Sequence, residues 1–185
     1  MPMRVIGGFY RHRKLVYPEN NPSIRPTKDR VREAFFSIIG DLSDCTFLDL
    51  YAGCGSIGIE AISRGASLSV FVDHSEEALK YVKENIKSLG IEELSKVILS
   101  SDLGALQLLK NNGYQFDIIY LDPPYELGKY EDVISFIYNN DLLKTNGVIA
   151  CETNRKIEIN PVCWKKIKEY HYGEISLITL RGVNK

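Results

Sequence analysis

Asp49-Leu-Tyr-Ala-Gly-Cys-Gly-Ser-Ile-Gly58 is the stretch that decides the fold of this 185-residue chain. It begins inside an apolar strand predicted over 46–51 and leads into a helix predicted over 56–64. Small residues at such a turn let a ligand lie against the main chain, and the first N–H groups of the helix can bind an anion. The spacing also matches G-x-G-x-x-G, so a nicotinamide or flavin site is an alternative.

The alternation of strand, turn and helix continues along the chain. Further strands are predicted over 67–72, 97–100, 116–121 and 147–151, with helices after Ser75, near 103–111 and near 130–140. Two last strands, 164–171 and 174–180, surround Tyr172-Gly173 and are typical of an antiparallel pair. The pattern predicts an α/β Rossmann-like domain with a mostly parallel, doubly wound sheet and an antiparallel pair at its C-terminal end.

The composition and the spacing of the cysteines indicate a globular protein without a metal site. Apolar residues make up 44% and charged residues 25% of the chain, which is ordinary for a globular protein. The four cysteines are scattered without a C-x-x-C pair, so we expect no metal site and a reducing, cytoplasmic compartment. The length predicts one compact domain, with residues 1–40 as a basic extension and 41–185 as the core.

Charge is unevenly distributed between that extension and the core. The first 32 residues hold eight Lys and Arg against two acids, whereas the rest of the chain has a net charge of −7. Two short strands predicted over 3–7 and 13–17 form a hairpin, in which Phe9, Tyr10 and His12 alternate with the cations. A solvated tail is the alternative, but aromatic residues among cations favour nucleic acid. The candidate RNA-binding residues here are Arg4, Arg11, Arg13 and Lys14.

The extension is predicted to end in a helix. Thr27 is a candidate N-cap, Val31 and Phe35 start an apolar stripe, and Gly40 ends the helix. Lys28 and Arg32 lie one turn apart, so we expect them to share a face directed away from that stripe.

Acidic residues follow three of the predicted strands at one edge of the sheet. Asp49 lies four positions before the first glycine, where it favours a ligand with ammonium and sulfonium groups and repels a pyrophosphate. Asp73, after the second strand, can accept hydrogen bonds from two ribose hydroxyls in either kind of cofactor. Asp102, after the third strand, is either an acceptor for an adenine amine or a helix N-cap.

Asp122-Pro-Pro-Tyr125 follows the fourth predicted strand. The carboxylate of Asp122 and the carbonyl of Pro123 can accept both hydrogens of an exocyclic amine, and Tyr125 can stack on the base that carries it. Pro123 and Pro124 make this segment rigid. Because the lone pair of such an amine is delocalised into the ring, acceptors that hold its protons favour its attack on a sulfonium methyl group. A plain turn is the alternative.

The chain resembles the bacterial 16S rRNA (guanine(966)-N(2))-methyltransferases over nearly its whole length. The likeness rests on Arg4-Val-Ile-x-Gly, Arg25-Pro-Thr-x-x-Arg-Val-Arg-Glu-Ala34, Asp49-Leu-Tyr-Ala-Gly-x-Gly-x-x-Gly-Ile-Glu-Ala61 and Asp122-Pro-Pro-Tyr125. It implies a class I methyltransferase that uses S-adenosylmethionine to modify one guanine of 16S rRNA in a partly assembled small ribosomal subunit. Separately, we expect the protein to be a monomer.

The resemblance also implies roles for individual residues. The cofactor would be surrounded by Asp49, Tyr51, Gly53, Gly55, Asp73, His74, Ser101 and Asp102. The guanine amine would be held by Asp122, Pro123, Pro124 and Tyr125. Arg25, Thr27 and Arg30 would lie at the boundary between cofactor and RNA. Cys54 departs from the family, which more often has Thr or Ser there.

Alternatives remain at this point. An adenine-N6 nucleic-acid methyltransferase would also have the Asp-Pro-Pro-Tyr motif. An NAD-dependent oxidoreductase would have the same glycine spacing. A non-catalytic rRNA-binding assembly factor would have the basic N-terminal extension. Cys54 can be a covalent nucleophile or a small packing residue. The second is favoured because an amine needs no covalent adduct.

Overall fold

The computed structural model describes residues 3–18, 20–21, 29–124 and 130–184. Within these residues seven strands form one sheet. Their bounds are β1 Thr46–Asp49, β2 Leu68–Asp73, β3 Ser95–Leu99, β4 Phe116–Leu121, β5 Leu143–Thr153, β6 Trp164–Tyr172 and β7 Ile175–Val183. The spatial order is β3-β2-β1-β4-β5-β7-β6.

The first five strands are parallel, and β7 lies antiparallel between β5 and β6. The predicted doubly wound sheet with an antiparallel C-terminal pair is therefore confirmed. Its central strands are apolar without alternation because both faces are covered, and Phe47, Leu48 and Ile119 are fully buried.

Five helices cover the sheet in the described residues. Their bounds are α1 Asp29–Ile39, α2 Ser56–Ser63, α3 Glu76–Leu89, α4 Asp102–Asn111 and α5 Tyr130–Asn139. Ser75 caps α3 as predicted, since its hydroxyl accepts a hydrogen bond from the N–H of Ala78. Gly90 ends α3 with a left-handed φ of 66°, a conformation that favours glycine. None of the described helices is long and apolar enough to cross a lipid bilayer.

Three clusters of apolar side chains fix these helices on the sheet. One joins α4 and α5 to the sheet through Leu106 and Val133. Another joins α3 to β2 through Val82 and Phe71. In the third, the ring of Phe35 on α1 packs edge-to-face on Tyr120, with centroids 4.8 Å apart. The clusters hold the ends of the strands at fixed positions.

The N-terminal arm, residues 3–18, turns back on itself as the predicted hairpin, but its strand pairing is shorter than predicted. Instead of two strands, one antiparallel bridge joins Arg4 to Lys14, with main-chain hydrogen bonds on either side of it. The reason is that the backbone of the turn bonds to α2. The N–H of Phe9 donates to the carbonyl of Ser63 at 2.6 Å, and the N–H of Gly7 donates to the carboxylate of Glu60 at 2.7 Å.

Arg32 also differs from its prediction, which set it on a face away from the apolar stripe. Its side chain is fully buried, because the arm packs over this face of α1. One of its guanidinium nitrogens donates to the carbonyl of Arg4 at 2.6 Å and to Asp29 at 3.0 Å. Burial lowers the pKa of Arg32. Thr27 and Lys28, also predicted for this helix, lie outside the described residues.

Candidate active site at the carboxyl edge of the sheet

The predicted site residues converge on one edge of the sheet because parallel strands end together there. Asp49 pairs with Tyr120 of β4, two residues before Asp122. Asp73 is the last residue of β2. The prediction that residues 49 and 122 share one edge is therefore confirmed.

The glycine loop between β1 and α2 is a tight turn. Gly53 and Gly55 have φ of 54° and 84°, values that L side chains rarely adopt. The N–H of Gly55 donates to the carbonyl of Ala52 at 2.7 Å. A Cβ at Gly58 would lie 2.3 Å from the ring of Phe71, so the glycine there lets α2 pack closely on β2.

Asp49 lies beneath this loop and is buried, with 2% of its surface exposed. Its carboxylate accepts a hydrogen bond from the N–H of Gly58 at 3.0 Å. Burial, with the negative charge of Asp73 nearby, raises the pKa of Asp49 to about 7. One N–H group in the first turn of α2 is therefore already bound, and the use of the others by a ligand anion stays a prediction.

Asp73 ties the glycine loop to the start of α3. One carboxylate oxygen accepts from the N–H of Gly53 and the other from the N–H of Ser75, both at 2.8 Å. The ring of the exposed His74 lies 3.5 Å from the same carboxylate. Asp73 thus sets the shape of the loop against which a ligand would lie.

Tyr51 and Asp102 form a second pair at the edge. The hydroxyl of Tyr51 donates to the carboxylate of Asp102 at 2.9 Å, and burial raises the pKa of that hydroxyl. Ser101, not Asp102, caps α4, since its side chain accepts from the N–H of Gly104. The alternative in which Asp102 is an N-cap is therefore wrong, and its role as an adenine acceptor stays a prediction.

Asp122 follows β4 directly, with Pro123 buried and Pro124 exposed beyond it. Burial raises the pKa of Asp122 well above its usual value, and the negative charges of Glu152 and Asp49 raise it further. The carboxyl group of Asp122 therefore retains its proton to a higher pH than an exposed aspartic acid does. Tyr125, together with Arg25 and Thr27, lies outside the described residues.

Glu152 is a residue that sequence reasoning missed. It lies near the end of β5, one strand from Asp122, and is buried. Its carboxylate accepts from the hydroxyl of Tyr120 at 2.5 Å, and its backbone carbonyl accepts from the hydroxyl of Tyr130 at 2.5 Å. An acid that ends a predicted parallel strand is the signal that would have found it.

Asn85 and Glu60 connect the arm to the helices around the glycine loop, and both were also missed. The amide of Asn85 bonds to both main-chain groups of Val16 and donates to the carbonyl of Cys54 at 3.2 Å. Glu60, fully buried in α2, accepts from the N–H groups of Ile6 and Gly7. Their signal is a polar residue within an otherwise apolar helix face.

The exposed cations of the arm were predicted to bind RNA. Arg4, Arg11, Arg13 and Lys14 are all exposed, as is Arg30 on α1. One guanidinium nitrogen of Arg13 donates to the carbonyl of Ser88 on α3 at 3.0 Å. The turn of the arm therefore lies over α2 and α3.

Cys54 fits the packing alternative. It is 2% exposed, its sulfur lies 3.6 Å from that of Met3, and burial raises the pKa of the thiol to about 11. At neutral pH such a thiol remains protonated, whereas a nucleophile needs the thiolate. Among the described residues no cluster of three or more His, Cys, Asp and Glu side chains is suited to a metal ion.

Comparison with known proteins agrees with this geometry. A family model described as Conserved hypothetical protein 95 matches residues 3–181. The Ribosomal RNA small subunit methyltransferase D of Haemophilus influenzae is 36% identical over 177 residues, which cover 94% of this chain and 91% of that protein.

Solved structures show the same fold. A putative methyltransferase from Escherichia coli superposes with a TM-score of 0.84 over the whole of both chains, at 27% identity. An RNA methyltransferase from Salinibacter ruber, solved with S-adenosyl-L-homocysteine, has a TM-score of 0.67 at 13% identity over 87% of this chain and 95% of its own. This chain belongs to the Conserved hypothetical protein 95 family, the family of the ribosomal RNA small subunit methyltransferases D.

Proposed function

We propose that this protein transfers the methyl group of S-adenosylmethionine to the exocyclic N2 amine of a guanine in 16S rRNA. One observation carries the proposal above the others. The glycine loop after β1 and Asp122 after β4 leave the sheet side by side, with Asp49 paired to Tyr120 in the register of the two strands. A methyl donor on the loop and an amine at Asp122 would therefore meet at one edge.

The acidic side chains at this edge of the sheet fit a cationic cofactor better than a dinucleotide. Asp49, Asp73 and Asp122 place carboxyl groups around the loop, and Asp49 already occupies the N–H of Gly58 that a pyrophosphate would use. Where these groups are ionised, Coulomb repulsion disfavours a pyrophosphate, and a nearby sulfonium or ammonium group favours their ionised form. The glycine spacing therefore no longer favours an NAD-dependent oxidoreductase.

Each acid has a distinct role toward that cofactor. Asp73 holds the N–H groups of Gly53 and Ser75, and in this proposal its carboxylate also accepts hydrogen bonds from the ribose hydroxyls. Asp102, oriented by Tyr51, accepts from the adenine amine. Ser101 and His74 complete the proposed set of cofactor-binding residues. Bound there, S-adenosylmethionine supplies an electrophilic methyl group on a sulfonium centre.

Asp122 and the Pro123 carbonyl orient the nucleophile. They accept the two hydrogens of the guanine amine, so that its nitrogen lone pair turns out of conjugation with the ring. Tyr125 stacks on the base, after the guanine has turned out of its loop. The raised pKa of Asp122 fits a group that takes up the proton released when the amine becomes methylated.

The basic arm supplies affinity for the substrate. Its exposed cations contact phosphates of the rRNA. Arg25, Thr27 and Arg30 bind the RNA close to its boundary with the cofactor. The substrate is a partly assembled small subunit, and the enzyme acts as a cytoplasmic monomer. The arm and the core work as one domain, since Glu60 and Asn85 fasten the arm to α2 and α3.

A labelling assay tests the proposal. The purified protein is incubated with methyl-labelled S-adenosylmethionine and, separately, naked 16S rRNA, small subunits from cells lacking the gene, and duplex DNA. We expect label in N2-methylguanosine from the ribosomal substrates alone. Label in N6-methyladenosine would support the adenine alternative, and RNA binding without any label would support the assembly-factor alternative.

A further inference from the structure

Phe9, at the turn of the arm, is an exposed aromatic residue without a structural role in the core. Its exposed fraction of 88% is the highest of any large apolar side chain in the described residues. Tyr10 meets the ring edge-to-face with centroids 5.0 Å apart, and most of the remaining ring surface faces solvent. A phenylalanine left in water forgoes the stabilisation that burial gives an apolar side chain.

The backbone beneath this ring is firmly held. The N–H of Phe9 donates to the carbonyl of Ser63, and the hydroxyl of Ser63 bridges the N–H of Tyr10 and the carbonyl of Gly7. Gly8 allows this contact, because a Cβ there would lie 1.8 Å from the Ser63 carbonyl oxygen. The ring is therefore presented outward from a fixed turn, and little conformational entropy is lost when it binds.

The surroundings of the ring are cationic. The cations Arg11, Arg13 and Lys14 lie two to five residues after it and are all exposed, and there is no acid among residues 3–18. The nearby carboxylate of Glu60 is buried and occupied by the N–H groups of the arm and by Arg64. Exposed aromatic rings among cations are how proteins hold single-stranded nucleic acid, since bases stack on the ring while cations contact phosphates.

We propose that Phe9 is a stacking site for an unpaired base of the rRNA, separate from the guanine that is methylated. The inference rests on the proposed function, because it takes rRNA as the ligand. The turn lies at the C-terminal end of α2, whereas the glycine loop lies at the other end of that eight-residue helix, roughly 10 Å away. The stacked base is thus a second anchor that sets where the target loop enters the site.

Fluorescence of Phe9→Trp gives a direct test. The natural tryptophan, Trp164, is buried and provides a constant background. Titration with a 16S rRNA transcript and with an unstructured poly(A) strand should quench the new emission, whereas an RNA duplex of equal length should leave it largely unchanged. Equal quenching by duplex and single strand, or none by either, would overturn the assignment.

Affinity measurements separate stacking from general apolar contact. Phe9→Ala and Phe9→Leu should each weaken rRNA binding roughly 5- to 100-fold, while Phe9→Tyr should retain it. The matched control is Val162→Ala, which removes another apolar side chain, 76% exposed, from a different region. Binding of S-adenosylhomocysteine should be equal in all four variants and so reports that each is folded. Wild-type affinity in Phe9→Leu would overturn stacking, because leucine retains the apolar surface but has no ring on which a base can stack.

The same experiment distinguishes failure of this inference from failure of the proposed function. If wild type methylates rRNA and Phe9→Ala binds it equally well, the stacking site is wrong and the function stands. If wild type binds rRNA through Phe9 and transfers no methyl group, the stacking site stands and the enzymatic function is wrong.

Discussion

The carboxylate of Asp49 accepts a hydrogen bond from the N–H of Gly58 at 3.0 Å, so the residue that ends β1 also fixes the first turn of α2. The glycine loop is closed between these two points. The contact occupies one N–H group of the helix, while Asp73 holds the N–H of Gly53 in the middle of the loop.

Asp49→Asn should change how stability depends on pH. Burial raises the pKa of Asp49 to about 7 in the folded protein, above its value of 3.8 in an unfolded chain. The folded state therefore binds the proton more tightly, and this contribution to stability is lost as the pH rises from about 4 to about 7. Asparagine cannot ionise, yet it can still accept from Gly58. Between pH 5 and pH 8 the free energy of unfolding of the variant should gain about 2–3 kcal/mol relative to wild type.

Urea denaturation of both proteins at the two pH values measures this difference. Parallel behaviour of wild type and variant over that range would show that Asp49 titrates as an ordinary carboxylate.

Asp73→Ala should weaken cofactor binding. The substitution frees the N–H groups of Gly53 and Ser75 and removes the predicted acceptor for the ribose. A hydrogen bond to a charged group contributes about 1.5–3 kcal/mol, so its loss should raise the Kd of S-adenosylhomocysteine roughly 10- to 100-fold. Calorimetry measures this Kd. Glu84→Gln, which removes an exposed acid from α3, is the charge-matched control and should bind normally. An unchanged Kd in Asp73→Ala would remove this residue from the cofactor site.

Asp122→Asn should separate turnover from binding. The variant keeps the shape of the segment but loses the charge that stabilises the amine as it becomes positive, so kcat should fall roughly 100-fold or more. The Kd of S-adenosylhomocysteine should stay within about twofold, because Asp122 faces the amine. Single-turnover methylation measures the rate, and calorimetry measures the affinity for S-adenosylhomocysteine. Equal losses of rate and affinity would contradict the assigned role.

Glu152→Gln should shift the pH dependence of the reaction. The negative charge of Glu152 contributes to the raised pKa of Asp122, so its removal lowers that pKa. The rate is expected to rise with pH as Asp122 ionises, and the variant should reach its plateau at lower pH than wild type. Glu158→Gln, an exposed acid farther along the chain, should leave the profile in place. A shift to higher pH would show that Glu152 acts in another way.

Neutralising the arm should flatten the salt dependence of RNA binding. Each phosphate contact to a single strand contributes about 0.7 to the slope of log K against log salt, so replacing Arg11, Arg13 and Lys14 by alanine should reduce the slope by up to about 2. The matched control replaces Lys165, Lys166 and Lys168 of β6, which changes the net charge equally. Equal effects of the two triple variants would indicate that only the net charge matters.

Hydrophobic periodicity and the glycine turn sufficed to predict the sheet, because each strand and helix buries a continuous apolar face. Ser75 and Gly90 marked the ends of α3 correctly by local chemistry alone. The hairpin of the N-terminal arm was predicted, but not its hydrogen bonds to Glu60 and Ser63, which lie more than fifty residues away. No local pattern reports such a partner.

The same limit applies to the site. Asp49, Asp73 and Asp122 were predictable because each follows a parallel strand at a common edge. Arg32 was placed on an exposed face by helical spacing, but the arm that covers it is distant in sequence. Glu152 was overlooked because its strand lacks a recognisable motif, although it changes the charge around Asp122.

The central claim is methyl transfer to guanine N2 in small-subunit rRNA, and mass mapping of 16S rRNA nucleosides from cells lacking the gene tests it most directly. We expect one N2-methylguanosine to be lost, to return with the wild-type gene, and to stay absent with Asp122→Asn. An unchanged set of methylated guanines in the deleted strain would contradict the account.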